Sequence, residues 1–159
     1  MEKADPKLVN PQLGNIRQEW DWVKKGVEEI LKLDPNLTFR PEDVYASCVN
    51  GESQLWIHPD FFNVATIEVD PFTGQKTFLL WLSWAKKRGG ANAVTFASFY
   101  EDVARQCQCS RIETRSVQMP AVDYAVEKVG WQIREIVFGK DLGVDHGPVS
   151  YTHLRAHET

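Results

Sequence analysis

Apolar positions recur at steps of three and four from Ile16 to Leu31. Ile16, Trp20, Val23, Val27, Ile30 and Leu31 form one stripe, while Glu19, Asp21, Lys24, Lys25, Glu28 and Glu29 lie off it. That period predicts a long amphipathic helix, with Asn15 placed to cap its first turn and Asp34-Pro35-Asn36 to break it. Pro41 suits a first helical position and Glu42 and Asp43 suit a helix N-terminus, so 41–48 reads as a short helix or turn. Asn50-Gly51 is turn chemistry, leading into a strand at Gln54–His58. Phe61–Val69 is rich in β-branched and aromatic residues, and Asp70-Pro71-Phe72-Thr73-Gly74 turns the chain back. Thr77–Ala85 follows, apolar on both sides as a central strand is. The two segments predict a long antiparallel hairpin in mid-sheet.

Beyond a Gly-rich bend, Thr95 is placed to cap a second helix. Phe96, Phe99, Tyr100, Val103 and Cys107 give it a buried stripe, and Glu101, Asp102, Arg105 and Gln106 face out. Ser110–Val117 predicts a strand. Pro120 opens a third helix whose Val122, Ala125, Val126 and Val129 share a face and which Gly130 ends. Trp131–Phe138 predicts the last strand. From Gly139 the pattern fails. Residues 141–159 lack an amphipathic period, and their ending, Ser150 to Thr159, looks like a translated adapter or vector scar, so they are left out of the fold. The elements therefore define one domain over residues 15–140, with 1–14 as an N-terminal extension.

Composition narrows the class. Apolar residues make up 43% of the 159 positions, which is enough for a core and excludes a disordered chain or a disulfide scaffold. The net charge of −4 argues against general nucleic-acid binding, which would have to rest on the local patch Lys86–Arg88. The longest mainly apolar run, Phe78–Ala85, is far short of the ~20 residues of a membrane helix. With a polar start and no apolar signal core, the expectation is a cytoplasmic protein with Cys48, Cys107 and Cys109 as reduced thiols.

The fold class is α/β (α+β), with a mixed, mainly antiparallel sheet flanked by helices. Segments 77–85, 95–107 and 111–117 form a βαβ-like unit. On this order and two local segments, residues 16–140 resemble the GNAT (Gcn5-related N-acetyltransferase) fold. Lys86-Lys87-Arg88-Gly89-Gly90-Ala91 stands where the family has an Arg/Gln-x-x-Gly-x-Gly/Ala loop. Glu127-Lys128-Val129-Gly130-Trp131 is similar to the family's Tyr-Glu-Lys-x-Gly-Phe ending. The resemblance implies acetyl-CoA as cofactor, an amine as acceptor and N-acetyltransferase activity.

The loop has a physical rationale of its own. A Gly-rich bend ahead of a helix leaves backbone N–H groups unpaired where the helix dipole attracts an anion, and Lys86, Lys87 and Arg88 add charge. By resemblance, Lys86, Arg88, Gly89, Gly90, Ala91 and Asn92 would cradle the pyrophosphate of acetyl-CoA. An ordinary solvated loop after a buried strand has the same composition.

The acid–base pattern departs from the family's. Met119 and Val126 occupy the positions of its usual Asn and of the Tyr that protonates the departing thiolate. Val126 has no proton to give. Tyr124, the nearby phenol, lies two positions back, roughly 200° around a helix. Glu68 on strand 61–69 is the general base by resemblance, with Glu113 in reserve; solvent-facing strand carboxylates are the other reading of both. In the family the cofactor carries the activated acyl group, and a backbone N–H near strand 77–85 would stabilise the oxyanion.

Other constellations are weaker. Cys107-Gln108-Cys109 is too closely spaced for a zinc site, so no metal is expected. Trp20, Trp56, Trp81 and Trp131 sit at core positions, leaving Trp22 and Trp84 as an exposed pair that could mark a partner surface. Arg40–Tyr45, Gly51–Trp56 and Val129–Trp131 are also similar to short GNAT-like proteins of tailed bacteriophages, including internal virion proteins. That second resemblance implies a non-catalytic alternative, with virion components as partners.

Overall fold

The computed structural model describes residues 9–35, 37–87, 91–114 and 125–132. The expectations for 115–117, 120–124 and 133–159 lie outside these residues. The helix with the strongest sequence period is α1 (Ile16–Leu33), where the Asn15 side chain accepts the Arg17 N–H at 3.0 Å. A short second helix, α2 (Pro41–Val49), starts at its proline, and the Arg40 N–H donates to the Asp43 carboxylate at 2.8 Å.

Four strands follow: β2 (Ser53–His58), β3 (Phe61–Val69), β4 (Lys76–Ala85) and, after α3 (Ala97–Gln106), β5 (Arg111–Thr114). They form a sheet with β1 (Gln12–Leu13), in the order β1-β2-β3-β4-β5. The first three pairings are antiparallel, and β4 pairs with β5 in parallel from Thr77↔Arg111 to Leu80↔Thr114. Helix α3 is thus the crossover of a βαβ unit. Strand β1 falls in the stretch expected to be an extension; it is too short to show a period, and it is placed by pairing with Ile57 and Trp56.

The β3–β4 hairpin is the longest ladder. Its turn is held by the Asp70 carboxylate, which accepts the N–H groups of Phe72 at 2.8 Å and Thr73 at 3.1 Å. Those bonds hold the carboxyl below its ordinary pKa. Gly74 closes the turn at φ +73°, a conformation that side chains disfavour.

The sheet separates two cores. Helix α3 covers Phe61, Ala65, Phe78 and Leu80 with Phe96, Tyr100 and Ala104. Helices α1 and α2 cover Leu55, Phe62, Val64 and Leu82 with Ile16, Val23, Val27 and Val44. Along β4 the side of the sheet changes midway: Phe78 and Leu80 face α3, while Leu82 faces α1. The cause is a bulge. Val64 pairs with Leu82 and Ala65 with Leu80, so Trp81 has no partner in β3.

Three local expectations change. Thr95 does not cap α3. Asn92 Oδ1 accepts the N–H groups of Val94 at 2.9 Å and Thr95 at 3.3 Å, and a turn at 93–96 delays the helix to Ala97. Val126, expected on a buried face, is 41% exposed, whereas Ala125 is buried. Trp131 and Gln132 are not in a strand. The Trp131 side chain instead donates its indole N–H to Glu101 of α3 at 3.1 Å, and its backbone N–H bonds the Ala125 carbonyl at 2.9 Å.

Candidate functional site

The candidate site lies along β4 and the segment that follows it. The parallel ladder with β5 is described from Thr77–Arg111 to Leu80–Thr114, and the bulged Trp81 comes next on β4. Beyond it, Leu82 to Ala85 stay paired with β3. Ser83 is exposed in this stretch, although its cross-strand partner Asn63 is completely buried.

Strand β4 leads through the loop to α3, at whose start the sequence placed the candidate anion site. Tyr100 is the first residue of α3 whose N–H reaches the turn carbonyl of Phe96, at 3.1 Å. Among the described residues the N–H groups of Ser98 and Phe99 meet no backbone acceptor. Orphan donors of this kind at a helix start suit a phosphate oxygen. Ala91 and Ala93 are small and packed into the core beneath the loop, so no side chain projects from them across the helix start. These features fit the diphosphate of an acyl-CoA. The carboxamide of Asn92 is engaged within the loop, holding Val94 and Thr95, so its contribution there is to shape the turn.

Lys86 is placed differently from Ala91 and Asn92. Its backbone N–H bonds the Asp60 carbonyl at 2.8 Å, and its ammonium lies 5.4 Å from the centre of the Trp22 ring on α1. There it lines a recess of about 470 Å³ with Glu19, Leu13 and Pro59. Trp22 and Trp84, expected to be exposed, are half-buried and pack against Phe62. Each indole N–H has a carboxylate acceptor: Glu19 for Trp22, and Glu29, at 2.6 Å, for Trp84. Arg88, Gly89, Gly90 and Tyr124 lie outside the described residues.

Glu68 and Glu113 line one shallow recess of about 340 Å³, together with Asp70, Gln75, Thr77 and Arg111. Cross-strand register explains their meeting: Glu68 pairs with Thr77, Thr77 with Arg111 and Leu79 with Glu113. Glu68 is exposed and level with Thr77, whereas Glu113 pairs with Leu79 and its carboxylate bonds Arg111 at 3.1 Å.

The sequence reading missed a buried polar chain. The Tyr100 hydroxyl donates to Asn63 Oδ1 at 2.6 Å, and Asn63 Nδ2 donates to Ser83 Oγ at 2.8 Å. The available signal was Asn63 itself, a lone amide inside the apolar run Phe61-Phe62-Asn63-Val64-Ala65. The three cysteines are free, and no group of metal-ligating side chains comes together among the described residues. Among those residues, no helix is long and apolar enough to cross a membrane.

No protein-family model and no curated protein sequence matches the chain. Solved structures do. A probable acetyltransferase superposes with a TM-score of 0.65 at 11% identity, over 87% of this chain and 100% of its own. An acetyltransferase of Trypanosoma brucei superposes with a TM-score of 0.54 at 14% identity, over 83% and 98%. An aminoglycoside acetyltransferase from an uncultured soil metagenomic sample, solved with sisomicin, does so with a TM-score of 0.59 at 6% identity, over 83% and 95%. The chain has the GNAT acetyltransferase fold. At these identities the likeness is one of fold, and it does not bear on the bacteriophage resemblance.

Proposed function

We propose that the protein is an acyl-CoA-dependent N-acetyltransferase acting on an amine. The observation that carries this reading is the β4–α3–β5 crossover unit, in which the first-turn N–H groups of Ser98 and Phe99 meet no backbone acceptor among the described residues. The likeness to acetyltransferase structures supports it. Bound acetyl-CoA would supply an acyl group already activated as a thioester. For the diphosphate, the reading assigns the first-turn N–H groups of α3, the small residues Gly89, Gly90 and Ala91, the turn built by Asn92, and the charge of Arg88; the Lys86 ammonium lies over Trp22 and is not counted among them. Backbone N–H groups on the outer half of β4 would hold the carbonyl oxygen as it gains charge.

The acceptor side of this reading is the acidic recess. Glu68, Asp70 and Glu113 give it a charge that attracts an ammonium ion. A water held by Glu68, or in reserve by Glu113, whose carboxylate is paired with Arg111, would pass the amine proton to that carboxylate. Tyr124 is the phenol offered to the departing thiolate. A thiolate is a tolerable leaving group, so the reaction survives with a poorly placed acid.

The test is thermal unfolding of the full chain with and without acetyl-CoA, followed by a thiol-release assay with a diamine, an aminoglycoside and a lysine peptide. Cofactor at 100 times its dissociation constant stabilises a fold by about 2.7 kcal/mol, several degrees for a domain of this size. Gly90→Glu, which sets a carboxylate against the diphosphate, should abolish the shift. The absence of any shift at millimolar acetyl-CoA would overturn the reading.

A further inference from the structure

Helix α3 ends in a turn that sets two thiols side by side. The Gln108 N–H bonds the Arg105 carbonyl at 3.0 Å, and the Cys109 N–H reaches back to the Ala104 carbonyl at 2.9 Å, the two bonds of a Schellman ending. They hold Gln108 at φ +61°, the one non-glycine residue at positive φ among the described residues. The separation of the Cα atoms on either side of a residue depends on that residue's own backbone angles. A left-handed residue mirrors the right-handed helix, which places Cys107 and Cys109 about 5.4 Å apart. Disulfides span Cα separations of about 4.4–6.8 Å, centred near 5.5–6 Å. An extended Gln108 would spread the pair to about 6.7 Å, the far edge of that range. Both cysteines belong to the α3 side of the sheet, Cys109 buried in that core and Cys107 half-buried against it. Cys109 Sγ lies 4.0 Å from the Cys107 carbonyl oxygen. Cys48 packs under α1 and α2 on the opposite side, so it does not compete for either partner. The corner is tied to β4 twice: the Lys76 ammonium donates to the Cys107 carbonyl at 2.8 Å, and the Ser110 N–H to the Lys76 carbonyl at 2.9 Å.

We propose that Cys107 and Cys109 are a thiol–disulfide modification site, closed into an intrachain bridge by exchange with a small disulfide such as oxidised glutathione. The proposal is independent of the acyl-CoA reading. Cys107, the less buried of the two, is the sulfur that meets the oxidant. Its thiolate attacks one glutathione sulfur, the glutathione disulfide bond breaks and the first glutathione leaves as a thiolate. The Cys109 thiolate then attacks the Cys107 sulfur of the mixed disulfide and displaces the second. Two protein thiols are oxidised to one disulfide, one glutathione disulfide is reduced to two thiols, and the two cysteine protons pass to the departing thiolates. Burial raises the Cys109 thiol above its ordinary value, the adjacent Cys107 adds to that and the Lys76 ammonium opposes it, so closure quickens as pH rises. The bridge encloses a single residue and constrains little of the unfolded chain. Its place matters more: two residues on, Arg111 bonds Glu113 in the acidic recess, so the bridge fixes the start of the strand that carries both.

Equilibration of the full-length chain in buffers of reduced and oxidised glutathione, followed by alkylation and mass mapping, tests this. Trypsin cuts after Arg105 and Arg111 and so releases both cysteines in one peptide, 106–111. That peptide should lose two hydrogens and resist alkylation, while Cys48 stays a thiol. Holding one residue's backbone in place is worth a factor of about 5–30. At fixed reduced glutathione, the folded chain should therefore close the bridge at about 5- to 30-fold less oxidised glutathione than the chain unfolded in urea. Gln108→Gly takes the left-handed turn readily and should keep the folded behaviour. Cys109→Ser should instead accumulate one glutathione on Cys107. Two results would overturn the assignment. One is a folded chain that needs as much oxidised glutathione as the unfolded one, which would mean that the turn does not pre-arrange the pair. The other is peptide 106–111 recovered with two free thiols, or with glutathione on each, where the unfolded chain is already bridged.

Discussion

Adding one methyl group at Gly26 sets two magnitudes of opposite sign against each other. Gly26 is buried in the middle of α1, and helix propensity alone favours Ala there by about 1 kcal/mol. The added Cβ would lie 2.5 Å from Phe62 Cε1, 2.9 Å from Phe62 Cζ and 2.9 Å from Trp84 Cδ2. Carbon atoms pack best at roughly 3.5–4.0 Å, so the nearest overlap is about 1 Å. Neither ring can swing clear cheaply, because the two are stacked at 5.6 Å and rise from adjacent strands of the central hairpin. Overpacking of this kind costs about 1–3 kcal/mol, and contact with two backed rings places it at the upper end. The net expectation for Gly26→Ala is a loss of about 2 kcal/mol, or about 4–8 °C in the unfolding midpoint for a chain of this size. Calorimetric melting of the purified variant measures it. An unchanged or raised midpoint would refute the close approach of α1 to the sheet. Phe62→Leu provides the internal control, because it removes the nearer of the two rings and in that background Gly26→Ala should cost clearly less.

Two further outcomes follow from the recess and the buried thiol. Glu68→Gln should lower kcat/KM for the amine by about a hundredfold with acetyl-CoA affinity unchanged, whereas Glu113→Gln, whose carboxylate is already paired with Arg111, should cost a few-fold at most; equal losses in steady-state assays would reject that ranking. Burial pushes the Cys48 thiol up to about 11 from an ordinary 9, so alkylation by iodoacetamide at pH 8 should be slow and should rise with a midpoint near 11. Between those two values the folded chain holds a proton that the unfolded chain has lost, so this contribution to stability is complete below pH 9 and declines as pH rises through 11. Denaturant melts at pH 8 and pH 10.5 should therefore differ less in Cys48→Ala than in the unmodified protein.

Long segments with a strong period were legible residue by residue. Phe61–Val69 is the strand expected, β4 begins one residue before the expected Thr77, and α1 runs two residues beyond Leu31 to Leu33. Capping was legible where the cap is adjacent, as at Asn15 and Pro41. It was misassigned at Thr95 because that hydroxyl accepts the Asn92 N–H at 3.3 Å and the helix starts only at Ala97. The site was legible by address and not by arrangement. Glu68 and Glu113 were both named as candidates, but their meeting in one recess depends on the β3–β4–β5 register. Lys86 reads as part of a basic loop, yet its ammonium lies over Trp22, a residue sixty-four positions earlier brought near by the docking of α1 on the sheet.

By itself, then, the sequence determined the helical stripes, the β3–β4 hairpin and the parallel crossover, because each is written in the spacing of apolar residues along a continuous segment. Tertiary structure decided which side of β4 meets which helix. A single extra residue, Trp81, reverses the alternation there, and it is extra only relative to the strand beside it. It also decided how the buried Asn63 carboxamide is satisfied, through a bond from Tyr100 across thirty-seven positions and another to Ser83. Period records what neighbours along the chain share. Register and hydrogen-bond direction belong to pairs of segments, and they acquire values only when those segments lie side by side.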